Sequence, residues 1–562
     1  MRPDLSRIPR WALALRPFPI EQLLSIGRKG RGTLDSARFL IAESKFASAG
    51  SALAAGLGAA LAHPPFGILP GLAGYALLLW LVDTADQARP LRSAFWRGWL
   101  AGAAYFGLGT WWIAEAFLVD IVHHGWMAPF AVILMAGGIA LFWGLACLLY
   151  RWTAVTGVAR FLVFAGLFAA CEWLRGHVLT GFPWNLPGET WRAGSAMSQT
   201  ASLVGAYGLT WITIAVAASL AVWRDGRAGK IAVGLATACL AGLFLFGVVR
   251  TQTYTVPSDL GRPIIRIVQA DIGQSAKYDP AEFKRIVDKY VALTSKPYPD
   301  GKPADIVVWP EGAIPDAIDN YLAPGTWTRD AVQGALKPGQ ILLVGAYRVE
   351  ATQDRYRYYN SLVAVRRTGE SLEPAGFYDK HRLVPFGEFL PLDSLMGALG
   401  IKTLVHVGDG FSPGPPPRPL KLPGGYAYQP LICYEGLYPG FTRAGAKASG
   451  IRPHFIVNVS NDAWFGATSG PLQHLNLSSY RAIEEGIPII RSTPTGVSAI
   501  IDATGAPVGR TLRHGETGVI DATLPFRRFD TQYRRTGDLP LLAMLLISGL
   551  FGLRIRVSRR LK

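Results

Sequence analysis

Charge and cysteine are both scarce in this sequence. Only 17% of its 562 residues are Asp, Glu, Lys or Arg, against roughly 25% in soluble domains, and half are hydrophobic. That shortfall argues against a single soluble globule. Four cysteines exclude a dense disulfide framework. Three of them, Cys147, Cys171 and Cys239, fall in apolar runs, where a free thiol is a small packing residue. Acidic residues are also few, 39 against 56 Lys and Arg, a balance of +17. On one soluble face that excess would point to nucleic acid. It lies instead beside apolar runs, with nine Lys and Arg from Arg2 to Lys45 and five from Arg554 to Lys562. No aromatic RNA-binding motif accompanies it, so nucleic acid is not an expected partner. A cleavable signal peptide is not expected either, because Arg7, Arg10 and Arg16 interrupt each early apolar run.

What is present is a succession of apolar runs long enough to predict about eight transmembrane helices, at 46–62, 66–82, 95–117, 126–150, 161–173, 195–223, 231–249 and 539–553. Two of them, 161–173 and 539–553, are shorter than a perpendicular crossing needs and must extend into their flanks. The loops after the second, fourth and sixth runs carry Arg89 and Arg92, Arg151 and Arg160, and Arg224, Arg227 and Lys230. Those after the first and third carry no Lys or Arg, while the fifth is mixed, with Arg175 and Arg192. Basic loops stay in the cytoplasm. Both termini are therefore expected there, and seven crossings deliver the intervening domain to the outer side, the periplasm of a bacterial inner membrane. The expected organisation is a basic cytoplasmic segment (1–45), a seven-helix membrane domain (46–256), an exported domain (257–536), and a last helix with a basic tail (537–562).

The exported segment, about 280 residues, has ordinary composition and enough length for its own core. Short β-like runs at 264–270, 306–309, 341–347, 361–365, 431–433, 455–459, 489–492, 497–502 and 518–520 alternate with helical stretches, predicting an α/β domain. Two strand ends carry reactive groups. Ile306-Val307-Val308-Trp309-Pro310-Glu311 ends in a carboxylate, and Leu431-Ile432-Cys433-Tyr434-Glu435 ends in the only thiol of this domain. Between them, Tyr378-Asp379-Lys380-His381-Arg382-Leu383-Val384-Pro385-Phe386-Gly387-Glu388 offers an amine. A thiol near pKa 8.5 needs a base or a nearby cation to become a nucleophile. A glutamate can shuttle its proton, and an ammonium can stabilise a tetrahedral oxyanion. Acyl transfer needs all three. As a bland alternative, Cys433 is a buried packing thiol, Glu311 a turn residue, Lys380 part of a basic patch and Glu388 one half of an ion pair.

Those three motifs, with Asn458-Val459-Ser460-Asn461-Asp462-Ala463-Trp464-Phe465-Gly466, resemble the Glu-Lys-Cys signature of the nitrilase (carbon-nitrogen hydrolase) superfamily. With seven apolar runs before and one after, the whole chain resembles the apolipoprotein N-acyltransferase family. The resemblance implies a nitrilase-like αββα sandwich on a polytopic helical membrane domain. It implies a ping-pong reaction without cofactor. Cys433 attacks the sn-1 ester of a phospholipid, commonly phosphatidylethanolamine, and the resulting thioester passes its acyl chain to the α-amino group of a diacylglyceryl-cysteine apolipoprotein. Glu311 is then the base, Lys380 the oxyanion stabiliser, Glu388 an assisting carboxylate, and Tyr434 and Glu435 supporting residues beside the nucleophile. Tyr278 stands where some members carry Trp, and is an expected substrate contact. A monomer is expected.

Trp184, in Gly181-Phe182-Pro183-Trp184-Asn185-Leu186-Pro187-Gly188, is expected either to line a lipid entrance or to anchor the chain at the membrane interface. Glu115, Glu172 and Arg175 lie in or at the ends of apolar runs, where ionisable groups are functional by default, yet they can equally pair with one another. His123-His124 has no third ligand at metal spacing, so no metal site is expected. Gly414-Pro415-Pro416-Pro417 reads as a turn or rigid linker. Two other functions fit parts of the pattern: a membrane-anchored amidase that passes the acyl group to water, and a transporter or scaffold whose outer domain is an inactive binding module.

Overall fold

The computed structural model describes residues 44–254, 261–353, 356–369, 371–389, 410–525 and 528–560. Nearly all of the predicted basic N-terminal segment, 1–43, and the last two residues of the tail lie outside this set. Each of the eight apolar runs contains an α-helix: Lys45–Leu61, Ala73–Asp83, Pro90–Gly109, Ala128–Thr153, Arg160–His177, Ala201–Ser219, Gly226–Gln252 and Leu539–Arg560. The second, expected from 66, begins as a turn and a 3-10 segment, Leu69–Leu72, and its α-helix has only 11 residues. Among the described residues, three helical stretches are long and apolar enough to cross a membrane: Ile121–Thr153, Met197–Val222 and Gly226–Gln252. The short fifth run does extend into both flanks, to 18 residues. The third is corrected. It ends at Gly109: Thr110 still donates both its N–H (2.8 Å) and its hydroxyl (2.7 Å) to the Phe106 carbonyl, but its backbone leaves the helical region (φ −128, ψ 18). A separate short helix, Ile113–Leu118, follows. The bundle core is mostly small and aromatic, with Ala55, Ala101 and Ala146 packed beside Tyr75, Tyr105, Trp143 and Phe168. Small residues let helix backbones approach closely where no hydrophobic effect drives association.

The outer part is built on two six-stranded sheets. The first contains β1 (Ile264–Gln269), β2 (Ile306–Trp309), β3 (Ile341–Ala351), β4 (Tyr356–Thr368), β5 (Ser371–Asp379) and β12 (Gly518–Thr523), in the order β12-β1-β2-β3-β4-β5. The second contains β6 (Leu420–Lys421), β7 (Ala427–Ile432), β8 (Phe455–Val459), β9 (Ile489–Ser492), β10 (Ser498–Ile501) and β11 (Pro507–Leu512), in the order β11-β10-β9-β8-β7-β6. Alternation along each strand makes the layers. Ile306 and Val308 face Ile432, Val457 and Ile490 between the sheets, whereas Val307 and Trp309 pack on Ile286, Val287 and Tyr290 of the Phe283–Thr294 helix. On the other sheet Leu431, Ile456 and Ile489 meet Ala482 at the far face. The result is the αββα sandwich that the resemblance implies. Both reactive strand ends, β2 and β7, lie in sheet interiors and pair in parallel with a neighbour, β2 with β3 and β7 with β8.

One helix ties this sandwich to the bundle. Gly470–Glu485 is buried along nearly all its length. The Ala201–Ser219 helix breaks at Gly205 (φ 71, ψ 174), where a Cβ would fall 2.2 Å from the Tyr533 ring. The freed Ala206 N–H then donates to Glu484 (2.8 Å). Arg481 pairs with Glu484 (2.8 Å) and with Glu189 (3.4 Å) of the 187–190 turn.

Candidate active site

Glu311 is placed by a β2 strand that is buried throughout and cannot continue its ladder through Pro310. The neighbouring β3 approaches so closely that a Cβ on Gly345 would fall 2.5 Å from the Glu311 Cα. Only glycine fits there. From β4, the Asn360 amide donates to Glu311 Oε1 and to Glu388 Oε1, both at 2.7 Å. Lys380 follows directly on β5; its N–H donates to the Asn360 carbonyl (2.8 Å), and its own carbonyl accepts from Gly414 (2.8 Å). The Gly-Pro-Pro-Pro segment is thus a brace for the lysine. The Lys380 ammonium reaches Glu388 at 2.9 Å and Glu311 at 3.4 Å, and Glu388 Oε2 also accepts from the Val384 N–H (2.8 Å). Burial works against the Lys380 charge, but Glu311 and Glu388 outweigh it and hold the pKa above the ordinary lysine value. One atom is left over. Among the described residues, buried Glu311 Oε2 has no hydrogen-bond partner.

Cys433 sits where β7 turns into a short 3-10 segment, Cys433–Leu437. Its φ is +48°, a strained conformation for a side chain larger than glycine's, and such corners lift the nucleophile out of the sheet. Glu435 secures the corner. Its carboxylate accepts from Ile432 N–H (2.9 Å), Tyr378 O–H (2.7 Å), His381 N–H (2.8 Å) and Arg382 N–H (3.1 Å), joining the β7 end to the Lys380 segment. Burial, then the Glu311 charge, push the Cys433 thiol up to about 12, against the opposing pull of Lys380. The resting thiol is therefore protonated and needs a base. Beneath it, Asn458 donates to the Cys433 carbonyl (3.5 Å) and is held by Arg491. Arg491 pairs with Asp462 (2.9 Å), which also accepts from Ser460 (2.7 Å) and bonds His474 (3.0 Å). Burial alone would raise Asp462; Arg491 and His474 outweigh it and bring the carboxyl down to about 2.

The structure thus gathers Glu311, Lys380 and Glu388 through direct contacts, with Cys433 in electrostatic reach of Glu311 and Lys380. Tyr434 and Glu435 follow the thiol in sequence; Tyr278, 38% exposed, is the chain neighbour of Lys277, which contacts Glu311 and Asn461. Two polar residues at this centre escaped the sequence reading. Asn360 carried no motif signal, since Tyr-Tyr-Asn-Ser reads as an ordinary strand. Lys277 was detectable only as a charge beside Tyr278. Its ammonium donates to Asn461 Oδ1 (3.2 Å) and the Glu311 carbonyl (3.5 Å), and burial brings its pKa down to about 8 although Glu311 and Cys433 oppose the shift.

Trp184 is corrected as an interfacial anchor. It is buried, its indole N–H donates to Gln473 (2.9 Å), and its ring packs 4.4 Å from that of Trp112. Trp112 donates to the same Gln473 oxygen (3.1 Å). Both rings share a cluster with Tyr434, Leu437 and Tyr438. The Tyr434 and Tyr438 hydroxyls donate to the Gly181 carbonyl (2.6 and 2.9 Å), and Arg382 to that of Thr180 (2.7 Å). The loop between the fifth and sixth apolar helices is therefore bolted to the residues just after the nucleophile.

The carbon-nitrogen hydrolase family matches residues 264–532, and the apolipoprotein N-acyltransferase N-terminal domain matches residues 55–219. A protein of Caulobacter vibrioides named apolipoprotein N-acyltransferase is 59% identical over 90% of this chain and 94% of its own. The chain belongs to the apolipoprotein N-acyltransferase family. A second relative of that name, from Brucella melitensis, is 37% identical over 91% of this chain and 96% of its own. Among solved structures, an amidase from Nesterenkonia sp. is 18% identical and matches with a TM-score of 0.33, covering 52% of this chain and 98% of its own. Family membership and the apolar helices make this a membrane protein.

Proposed function

We propose that the protein transfers a fatty acyl chain from the sn-1 position of a phospholipid, through a thioester on Cys433, to the α-amino group of an apolipoprotein's N-terminal diacylglyceryl-cysteine. The observation that carries this reading is the conjunction of a high-pKa thiol, an open carboxylate oxygen and a buried ammonium in a domain clamped to apolar helices. In the first half-reaction Glu311 takes the thiol proton as sulfur attacks the ester carbonyl. Lys380 pairs with the tetrahedral oxyanion. Glu311 then returns the proton to the departing glycerol oxygen, leaving the acyl thioester and a lysophospholipid. In the second half-reaction the acceptor's neutral amine attacks the thioester and gives a proton to Glu311, which passes it to the leaving sulfur. Glu388 holds the lysine, and the brace from Asn360 fixes both carboxylates in register. The chemistry belongs to residues 257–536, facing the periplasm, with both termini in the cytoplasm of an inner-membrane protein. Loop charge supports that orientation. The donor we favour is phosphatidylethanolamine, and the working unit a monomer. The test is a donor lipid labelled in its sn-1 chain, incubated with purified protein and a diacylglyceryl lipopeptide. Label on the lipopeptide amine is expected. Label found only as free fatty acid would instead make the protein an amidase-like hydrolase.

A further inference from the structure

Of the three ionisable residues singled out in the sequence, Glu115, Glu172 and Arg175, two neutralise each other. Arg175 pairs with Glu172 within one helix, where Glu172 also accepts the Trp143 indole N–H (2.9 Å) and Arg175 donates to the Trp184 carbonyl (3.0 Å). Glu115 has no such arrangement. It is half-buried on the Ile113–Leu118 helix. Among the described residues no hydrogen bond or ion pair reaches its carboxylate.

Its surroundings give that carboxylate a place in the reaction. A Cβ on Gly466 would fall 2.5 Å from Glu115 Oε2 and 2.8 Å from its carboxyl carbon. The carboxylate thus lies against the glycine that ends the Asp462–Phe465 turn. The start of the same segment acts on the nucleophile, since Ser460 and Asp462 both bear on the Cys433 thiol. Just before the helix, the Trp112 ring lies 4.5 Å from that of Phe465, and Ile113 packs on the cluster containing Tyr434. Trp111, Leu118, Ile121 and Val122 around it expose apolar surface. The carboxylate therefore stands at an apolar boundary, next to the catalytic segment. An anion kept without a partner in such a place is costly unless a cation arrives to pair with it.

Both substrates of the reaction proposed above carry one cationic group of the same kind: the ethanolamine headgroup of the donor and the α-amino group of the acceptor, before it loses its proton. We propose that Glu115 is a recognition site for a substrate's primary ammonium, made by the Ile113–Leu118 helix and closed by Gly466. The assignment rests on that functional reading. It gives the enzyme a way to prefer amine-bearing lipids at the membrane surface, through an ion-paired hydrogen bond that a headgroup without a cation cannot make.

The test uses full-length protein in lipid nanodiscs, with Glu115→Gln and Glu115→Asp variants. Acylation of Cys433 is timed with phosphatidylethanolamine and with phosphatidylglycerol of the same acyl chains, and KM is measured for a diacylglyceryl lipopeptide. If the headgroup is the ligand, Glu115→Gln lowers the ethanolamine-to-glycerol rate ratio by about tenfold, the worth of one such bond. If the acceptor is the ligand, that ratio holds and KM for the lipopeptide rises by about as much. In either case Glu115→Asp, which keeps the charge, falls between wild type and Gln. A Gln variant with both quantities within about twofold of wild type overturns the proposal. So does an Asp variant as impaired as Gln, which would reduce Glu115 to packing on Gly466. Wild type that forms no thioester with either lipid would instead defeat the functional reading, and the ammonium site with it.

Discussion

Two buried glutamates approach Cys433 from opposite walls, and they differ in what is left open on them. Glu435, on the wall that carries the thiol, has both oxygens engaged by four donors from two segments. Glu311, on the facing wall, shares one oxygen between Asn360 and Lys380 and keeps Oε2 unpartnered. A carboxylate saturated with donors is a fastening, because taking a proton would break the bonds it holds. One with a free oxygen near a protonated thiol can accept that proton. Burial is similar in the two cases; an oxygen without a partner among the described residues is what suits Glu311, and not Glu435, to the role of base proposed above.

The comparison is sharpened first by replacing each glutamate. Glu311→Gln should slow acylation of Cys433 by about a thousandfold, the scale of a lost general base, with little change in thermal unfolding. Glu435→Gln should do the reverse in emphasis. Its midpoint of thermal unfolding should drop by an amount equivalent to about 2 kcal/mol as the donors lose a charged acceptor, with acylation impaired less than in Glu311→Gln. Equal effects on both readouts in both variants would erase the distinction.

The wall beneath the thiol offers a second contrast. Asp462→Asn leaves the Arg491 guanidinium buried and unpaired, and should cost about 3 kcal/mol of stability. The depressed carboxyl of Asp462 also sets a pH window. Its contribution is complete above the unfolded carboxyl pKa of about 4 and is lost as pH falls through about 2. The acid limb of a stability curve should therefore flatten between those values in Asp462→Asn.

Asn360 tests whether Glu311 needs to be held. Asn360→Ala removes the amide that bridges two carboxylates, and should lower the turnover rate by about tenfold with KM for lipid little altered, as expected of misplaced reacting groups. A change confined to KM would mean that Asn360 binds substrate instead. Lys277 is expected to have the smallest effect. Because the thiol sits near 12, its alkylation by iodoacetamide should accelerate by about tenfold per pH unit from 7 to 10. Lys277→Met should shift that profile to higher pH by a few tenths of a unit, on the order of a weak charge interaction, and Lys277→Arg should restore it. An unmoved profile would confine Lys277 to bracing Asn461.

Most of this arrangement could be read before the fold was known, and the omissions have a common cause. Nine strands were predicted and found. The three unforeseen ones, β5, β6 and β11, all lie at sheet edges. Edge strands tolerate what central strands exclude: Pro374 and Gly376 interrupt β5, and Pro507 and Gly509 interrupt β11. Glu311 and Cys433 were legible because each ends an apolar strand and belongs to a motif, Lys380 because of its motif alone. Asn360 was not, since an amide in mid-strand looks like any half-exposed polar residue until its neighbours are known. For Trp184 the sequence left an entrance lining and an interface anchor both open, because it shows an aromatic near a membrane without showing the Gln473 side chain that the buried indole bonds.

The central claim is that Cys433 carries the acyl group and that the open oxygen of Glu311 starts the transfer. Incubating the purified protein with phospholipid and no acceptor, then measuring its intact mass before and after hydroxylamine, tests it most directly. One acyl-sized mass increase on Cys433 is expected, removed by hydroxylamine, absent in Cys433→Ser and strongly reduced in Glu311→Gln. An adduct that forms equally in Glu311→Gln, or that maps to another residue, would contradict it.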